Sequence, residues 1–419
     1  LTYDAFATSA SHTASSAAQA PAWGMTRVMR LEQAMRGAQC MDLSCGAGVA
    51  AASALLVRTA EPEVMWRDEV CHAARMRGCV ADGKHSTALA CGPYTITGGL
   101  GGLGLHAAEL LVRGGASHVL LASRSGRMSS AGLGLASQLQ ASVACDSGDA
   151  KDTGALFSLR PPTGVLHAAG LSDDCLLSQL NARRIECMYT SKAFGVWHLQ
   201  CAATTAPLEA RVLFSTVGSA LGNVGQANYA ASNAFLDAHA LSRRVHGVVA
   251  CCMQWPVVGG AGMGAATAAA LSERQMAFVG LAYISLGDYA ACLQAQLAAG
   301  GGLATSVQLV HRSDVRELLQ DAAGASRSCS GELTLRAALT QSTVCEEEAL
   351  LAMQESTLPR STGAHVRLSV AEHVSILELN DPSHFNTLSK EMASDMQMAV
   401  QWLAAQKRGS IRSVVLQGA

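Results

Sequence analysis

In Tyr94-Thr95-Ile96-Thr97-Gly98-Gly99-Leu100-Gly101-Gly102-Leu103-Gly104 a short β-type run passes straight into five glycines within seven residues. A helical pattern, Leu105 to Arg113, follows, and then a second strand pattern, His118-Val119-Leu120-Leu121-Ala122. Strand, glycine turn, helix, strand is the opening of a doubly wound α/β domain with a parallel sheet. The glycines let the backbone turn tightly and approach a pyrophosphate, whose charge the following helix N-terminus attracts. A glycine-rich turn alone is weak evidence. Its placement in a strand–turn–helix–strand unit is what gives it weight.

Thr97, Gly98, Gly99, Gly101, Gly102, Leu103 and Gly104 are therefore the expected dinucleotide cradle. The next strand ends in Ser123-Arg124-Ser125-Gly126, where no acid is available for a ribose 2′-hydroxyl. A guanidinium matches a 2′-phosphate bidentately, so Ser123 and Arg124 favour NADPH over NADH. Asp146, after Val143-Ala144-Cys145, is placed to accept from an adenine amino group, or else is an ordinary turn residue.

Working outward, further strand–helix units begin at Ala141–Cys145, Gly164–His167 and Arg211–Phe214, and they continue through Gly247–Gln254 to about Leu319. Asn228-Tyr229-Ala230-Ala231-Ser232-Asn233 puts Tyr229 and Asn233 four apart on one helix face. A strand ending in Ser215-Thr216 lies upstream. Reduction of a carbonyl needs a proton donor and a hydrogen bond to the developing alkoxide. A phenol does the first when a nearby cation lowers its pKa.

These motifs, with His167-Ala168-Ala169-Gly170, closely resemble the ketoreductase domains of modular polyketide synthases and animal fatty acid synthase, which are short-chain dehydrogenase/reductases. The resemblance spans roughly residues 91–315. It implies that Tyr229 donates the proton, that Asn233 is the Asn one turn later, and that Lys192, in Ser191-Lys192-Ala193-Phe194-Gly195, is the catalytic lysine. The family usually has a Ser thirteen residues before the Tyr, where this chain has Thr216. Thr keeps the hydroxyl, while its methyl restricts the rotamer. Ser215 is expected on the opposite face of the strand. Asp173-Asp174 resembles the Leu-Asp-Asp fingerprint of one stereochemical class, with Ser172 in place of Leu, and reads equally as a capping turn. Trp255-Pro256 and Gly259–Met263 resemble the loop leading to the family's substrate lid.

Upstream, Ala22-Trp23-Gly24-Met25-Thr26-Arg27 and Leu31-Glu32 resemble the structural half that precedes such ketoreductases, a truncated Rossmann unit without a glycine loop. It is expected to brace the catalytic half by packing. Downstream, Val374–Asn380, the turn Asp381-Pro382, a helix over Leu388–Leu403 and a strand over Ile411–Gly418 resemble the start of a crotonase (enoyl-CoA hydratase/isomerase) domain. The oxyanion-hole amides of that family fall beyond Ala419, so no lyase activity is expected.

The expected fold class is α/β: a Rossmann-type doubly wound parallel sheet, with a truncated Rossmann-like half before it and a partial crotonase-like segment after it. The expected division is a linker over 1–20, the structural half over 21–90 and the catalytic domain over 91–323. A second linker over 324–364, with one helix near Glu346–Gln354, and the crotonase-like part over 365–419 complete it. The expected activity is NADPH-dependent reduction of a β-keto group on a 3-oxoacyl thioester. The partners implied are an acyl-carrier protein bearing a phosphopantetheine-linked β-ketoacyl chain and the other synthase domains. Two alternatives remain: a ketoreductase weakened at Thr216 and kept as a scaffold, and a free-standing reductase of small ketones, which the tandem layout disfavours.

Composition limits the partners. A net charge of −2 gives no reason to expect nucleic acid or an anionic membrane. Aromatics make up only 4%, so the core must be built from Ala, Leu and Val. None of the cysteines sits at zinc spacing, so Cys40 and Cys45, or Cys251 and Cys252, read as small buried residues in a reducing compartment, and no metal is expected. No apolar run approaches a membrane span, and the amino terminus reads as a cut end rather than a signal peptide. The expected location is cytoplasmic, with an organelle left open.

Overall fold

The protein was studied as a computed structural model. The structure describes residues 2–3, 5, 17–33, 38–43, 61–67, 70–74, 91–127, 141–205, 208–263, 284–298 and 306–308. Beyond these it describes 360–361, 366–371, 374–379, 391, 394–395, 397–399 and 413–418. In chain order the elements are β1 (Thr2–Tyr3), α1 (Pro21–Glu32), β2 (Cys40–Leu43), β3 (Glu63–Arg67) and β4 (Val70–His72). The central part comprises β5 (Pro93–Thr97), α2 (Gly102–Arg113), β6 (His118–Ser123), β7 (Ala141–Ala144), α3 (Ala150–Leu159) and β8 (Gly164–His167). It continues with α4 (Ala182–Tyr189), α5 (Gly195–Ala202), β9 (Ala210–Thr216), α6 (Val217–Leu221) and α7 (Ala227–Val245). Then come β10 (Cys251–Trp255), α8 (Leu286–Ala298), β11 (Ser306–Gln308), β12 (Arg360–Ser361), β13 (Val366–Ala371), β14 (Val374–Leu379) and β15 (Ser413–Gly418).

Seven strands form the central sheet in the order β11-β10-β9-β8-β5-β6-β7, and every neighbouring pair runs parallel. The order reverses between β5 and β8, so a crevice opens at the carboxyl ends of those strands, which is where doubly wound sheets take ligands. Burial on both faces explains why the strands read as near-continuous apolar runs. On β9, Val212 and Phe214 join the core beneath α2 and α8, while Leu213 joins the core against α7. On β10, Cys251 and Cys252 divide between those same two cores, as expected for small buried residues.

The N-terminal strands form a separate sheet, β1-β2-β3-β4, with β1, β2 and β3 parallel and β4 antiparallel. Thr2 and Tyr3 fall within the stretch expected to be a linker, yet they pair with Asp42 and Leu43. Thr2 Oγ1 donates to Asp42 Oδ1 at 2.6 Å and accepts from Trp23 Nε1 at 3.0 Å. These long-range partners place Thr2 and Tyr3, which composition alone does not order.

Helix α1 lies against α7 so closely that a Cβ on Gly24 would run into the carbonyl of Ala230 and come within 2.9 Å of the Ala231 nitrogen. Arg27 and Arg30 both bind Glu63 of β3, at 2.6 and 2.8 Å, which fastens α1 to the first sheet. Burial alone would raise the Glu63 pKa, but the two guanidinium groups overcome it and hold the carboxyl below its usual value.

The C-terminal strands form a third sheet, β12-β13-β14-β15, with β14 and β15 parallel. The expected helix over 388–403 is helical at its described positions, 391, 394–395 and 397–399. The turn Asp381-Pro382, the expected helix near Glu346–Gln354 and most of the 324–364 linker lie outside the described residues. No described helix is long and apolar enough to cross a membrane.

Because Gly24 sits backbone to backbone with α7, Gly24→Ala overpacks that contact. It should destabilise the chain by about 1–3 kcal/mol, read as a lower denaturant midpoint at unchanged m-value.

Candidate functional site

The glycine turn expected as a dinucleotide cradle lies between β5 and α2. Thr97 closes β5, Gly98 takes φ +66° where a side chain would be strained, and Gly101 caps α2 with its amide bonded back to Gly98 O at 3.0 Å. A Cβ on Gly98 would also reach within 2.6 Å of the Ala169 backbone. The first turn of α2 leaves its amides without intrahelical acceptors, as an anion site requires. One expected contact departs from this pattern: Thr97 is buried, and its hydroxyl is engaged with His167 Nδ1 at 2.7 Å rather than left to a ligand. Burial drives the His167 pKa down to about 3, so the ring is neutral.

Beside the cradle, Arg124 and Asp146 line one cavity of about 290 Å³. Arg183 and Ser191 line it too, and Arg183 carries no spacing signal in the sequence. Ser123 Oγ accepts from Gly126 N at 3.1 Å, and Asp146 Oδ1 accepts from Gly148 N at 2.9 Å. Asp146 thus shapes its turn and faces the cavity at once.

At the mouth of the same crevice, Thr216 ends β9 and caps α6, its Oγ1 accepting from Gly218 N at 3.2 Å. That contact uses a lone pair and leaves the hydroxyl proton free to donate outward. Ser215, one residue earlier, turns the other way into a buried network, 3.3 Å from Ser219 Oγ and 3.4 Å from Asn233 O. Asn233 Nδ2 donates to Tyr229 O at 2.9 Å across one turn of α7, while its Oδ1 is buried without a protein donor.

Lys192 occupies a π-helical turn, Thr190–Phe194, between α4 and α5. Such insertions recur at functional sites because they re-aim one side chain. Here the turn drives the lysine inward: it is 3% exposed, its Nζ donates to Phe214 O at 2.7 Å, and it lies 6.0 Å from the centre of the Tyr229 ring. Burial pushes the ammonium down to about 8, opposed by Cys252 and Asp237. Burial also pushes the Tyr229 phenol up to about 12, with Asn233 acting to lower it. The phenol therefore keeps its proton through the neutral range.

Asp237, not among the residues expected at the site, is half-buried two turns beyond Tyr229 on α7. It accepts from Ser219 Oγ at 2.6 Å, Gln254 Nε2 at 2.7 Å and Cys252 Sγ at 3.0 Å. Burial raises its pKa, and those three donors resist the rise. The i, i+4, i+8 spacing of Tyr229, Asn233 and Asp237 was a visible signal for it. Asp173 and Asp174 meet the same helix: Asn228 Nδ2 donates to Asp173 O at 3.2 Å, and Gln226 Nε2 to Asp174 Oδ1 at 3.0 Å. Ser172 Oγ donates to Asp174 Oδ1 at 3.0 Å within this loop, while the α-helix that follows, α4, is capped by Asn181. Beyond β10, Val258 bridges to Ile284, and Tyr289 Oη donates to Leu103 O at 2.8 Å, which ties the lid-leading segment to the cradle.

The KR-domain family model matches residues 92–260. The solved first ketoreductase of the tylosin PKS is 31% identical, with a TM-score of 0.63, covering 74% of this chain and 68% of that one. The chain belongs to the ketoreductase family. A solved A1-type ketoreductase is 26% identical with a TM-score of 0.67, over 81% of this chain and 73% of its own. Two curated relatives share the same core. The spectinabilin polyketide synthase system protein NorB of Streptomyces orinoci is 38% identical over 220 residues, which is 50% of this chain. The pikromycin polyketide synthase component PikAIII of Streptomyces venezuelae is 34% identical over 258 residues, 58% of this chain. The chain spans 10% and 16% of the length of those two synthases. The ketoreductase fold takes a nicotinamide dinucleotide, and the positive-φ cradle, the α2 amides and the cavity at Arg124 fit one.

Two outcomes test this site. Asp237→Asn replaces an acceptor-only group by one with two donors, opposite three existing donors, and should cost roughly 1–3 kcal/mol in chemical denaturation. As pH rises through about 8, Lys192 loses its proton, so kcat/KM for reduction should fall across that range.

Proposed function

We propose that this ketoreductase reduces the β-keto group of a carrier-bound 3-oxoacyl thioester to a β-hydroxy group with NADPH, as one domain of a polyketide synthase. The observation that carries the reading is the buried Lys192 ammonium, held on Phe214 O and 6.0 Å from the Tyr229 ring at the crevice mouth. A structural lysine would not be buried without a carboxylate in hydrogen-bond contact.

The chain's own groups divide the work. The cradle Gly98–Gly104 and the α2 amides would hold the pyrophosphate. Arg124, with Ser123, would take the 2′-phosphate, which favours NADPH, and Asp146 would face the adenine. When bound, the nicotinamide supplies the hydride. Thr216 donates its hydroxyl to the carbonyl oxygen, and Tyr229 passes its phenolic proton to the forming alkoxide. Lys192 lowers the cost of the phenolate left behind, and the unpartnered Asn233 Oδ1 offers an acceptor for reprotonation. The substrate is presented by an acyl-carrier protein on its phosphopantetheine arm, with other synthase domains as neighbours. We read the C-terminal β13, β14 and β15, with parallel β14–β15 pairing, as the opening of a crotonase-like domain.

NADPH oxidation with an N-acetylcysteamine β-ketothioester is the direct test. Tyr229→Phe should lower kcat by roughly 10²–10⁴-fold, and Thr216→Ala should lower it as well, with cofactor binding unchanged in both. A wild-type chain that binds NADPH without turnover would favour the scaffold alternative. Arg124→Ala should raise KM for NADPH by about tenfold or more and leave that for NADH unchanged.

A further inference from the structure

Helix α1 belongs to the half that has no glycine loop, yet its last residue reaches the catalytic mouth. Glu32 Oε1 accepts from Gly225 N at 2.8 Å, and Glu32 Oε2 accepts from Leu177 N at 2.7 Å. The two amides lie on different loops. Gly225 is on the turn between α6 and Tyr229, and Leu177 follows the Asp173-Asp174 loop. The loops also meet each other, through Cys175 N on Gly225 O at 2.7 Å. Five residues earlier on α1, Arg27 donates to Ser219 O at 2.5 Å, just past Thr216.

We propose that Glu32 is a positioning residue for the substrate mouth: one carboxylate, using both oxygens, sets the separation of the two loops flanking Tyr229. This rests on the reductase reading. Beside each anchored amide stands an apolar side chain left in solvent, Val224 at 55% and Leu176 at 45% exposure. Their main-chain neighbours are both held by Glu32, so the two exposed apolar side chains flank one carboxylate. Fixing the loops fixes this pair, which suits the acyl portion of a thioester entering beside the phenol. An ionised carboxylate serves because each oxygen accepts a charge-assisted bond. An amide has one oxygen only, so Glu32→Gln loses one loop, and Glu32→Ala loses both.

The test joins hydrogen exchange to kinetics on the full chain. In Glu32→Ala, exchange of the Leu177 and Gly225 amides should quicken by about tenfold or more, while β5 to β10 exchange as in the wild type. In Glu32→Gln one of the two amides should quicken. KM for the β-ketothioester should rise several-fold with kcat little changed, and the ratio of the two hydroxyl configurations in the product should shift. Unchanged exchange at both amides, or an equal rise throughout the sheet, overturns the inference, as does an unaltered KM in a chain whose loops have loosened. A wild type that exchanges as described but does not turn over sinks the reductase reading and leaves the loop tie standing.

Discussion

The rest of the molecule depends on one close approach, the backbone of α1 at Gly24 against the backbone of α7 at Ala230 and Ala231. Helix α7 carries Tyr229, Asn233 and Asp237, so whatever fixes its position fixes the chemistry. One side of α7 packs on the central sheet. The other side would face solvent without α1, and Val28, Ala227 and Ala230 form a small core at that junction. A half-domain without a ligand loop is thereby part of the site's architecture, because a helix anchored on one face only can rotate or shift by more than a hydrogen bond tolerates.

The electrostatics follow from burial. Lys192 is buried and Asp237 half-buried on the α7 side of β9 and β10, and the two form no direct ion pair among the described contacts. Each is satisfied by neutral groups: a carbonyl for the ammonium, and a hydroxyl, an amide and a thiol for the carboxylate. That arrangement leaves the charge of Lys192 directed at the phenol instead of cancelled by a carboxylate at contact distance. It also explains how Cys252 can lie beside a carboxylate without ionising, since burial and Asp237 push its thiol well up.

Much of this was legible in the sequence because it depends on local chemistry. The glycines after β5, the missing acid after β6 and the i, i+4 pair on α7 each have a short-range cause. The central strands were read within a few residues of their ends, since parallel strands buried on both faces leave compact apolar runs. What escaped the reading depends on partners far along the chain. Thr2 and Tyr3 become a strand only because β2 is there to receive them. The Thr97 hydroxyl meets His167, seventy residues on, a partner that no local pattern announces. The inward aim of Lys192 comes from a π-turn that leaves no mark in residue spacing. Asp237 was in plain view at the right period and was passed over, because a lone acid on a helix ordinarily faces solvent.

The tie between residues 32 and 225 spans 193 positions of chain. During synthesis α1 is complete long before α7 exists. At about 5–20 residues per second the apolar face of the first helix waits roughly 10–40 seconds for its counterpart to leave the ribosome. Closure of so long a loop is a late, entropically costly event. The docking of α1 onto α7 therefore comes later in synthesis than the contacts made within either element's own neighbourhood.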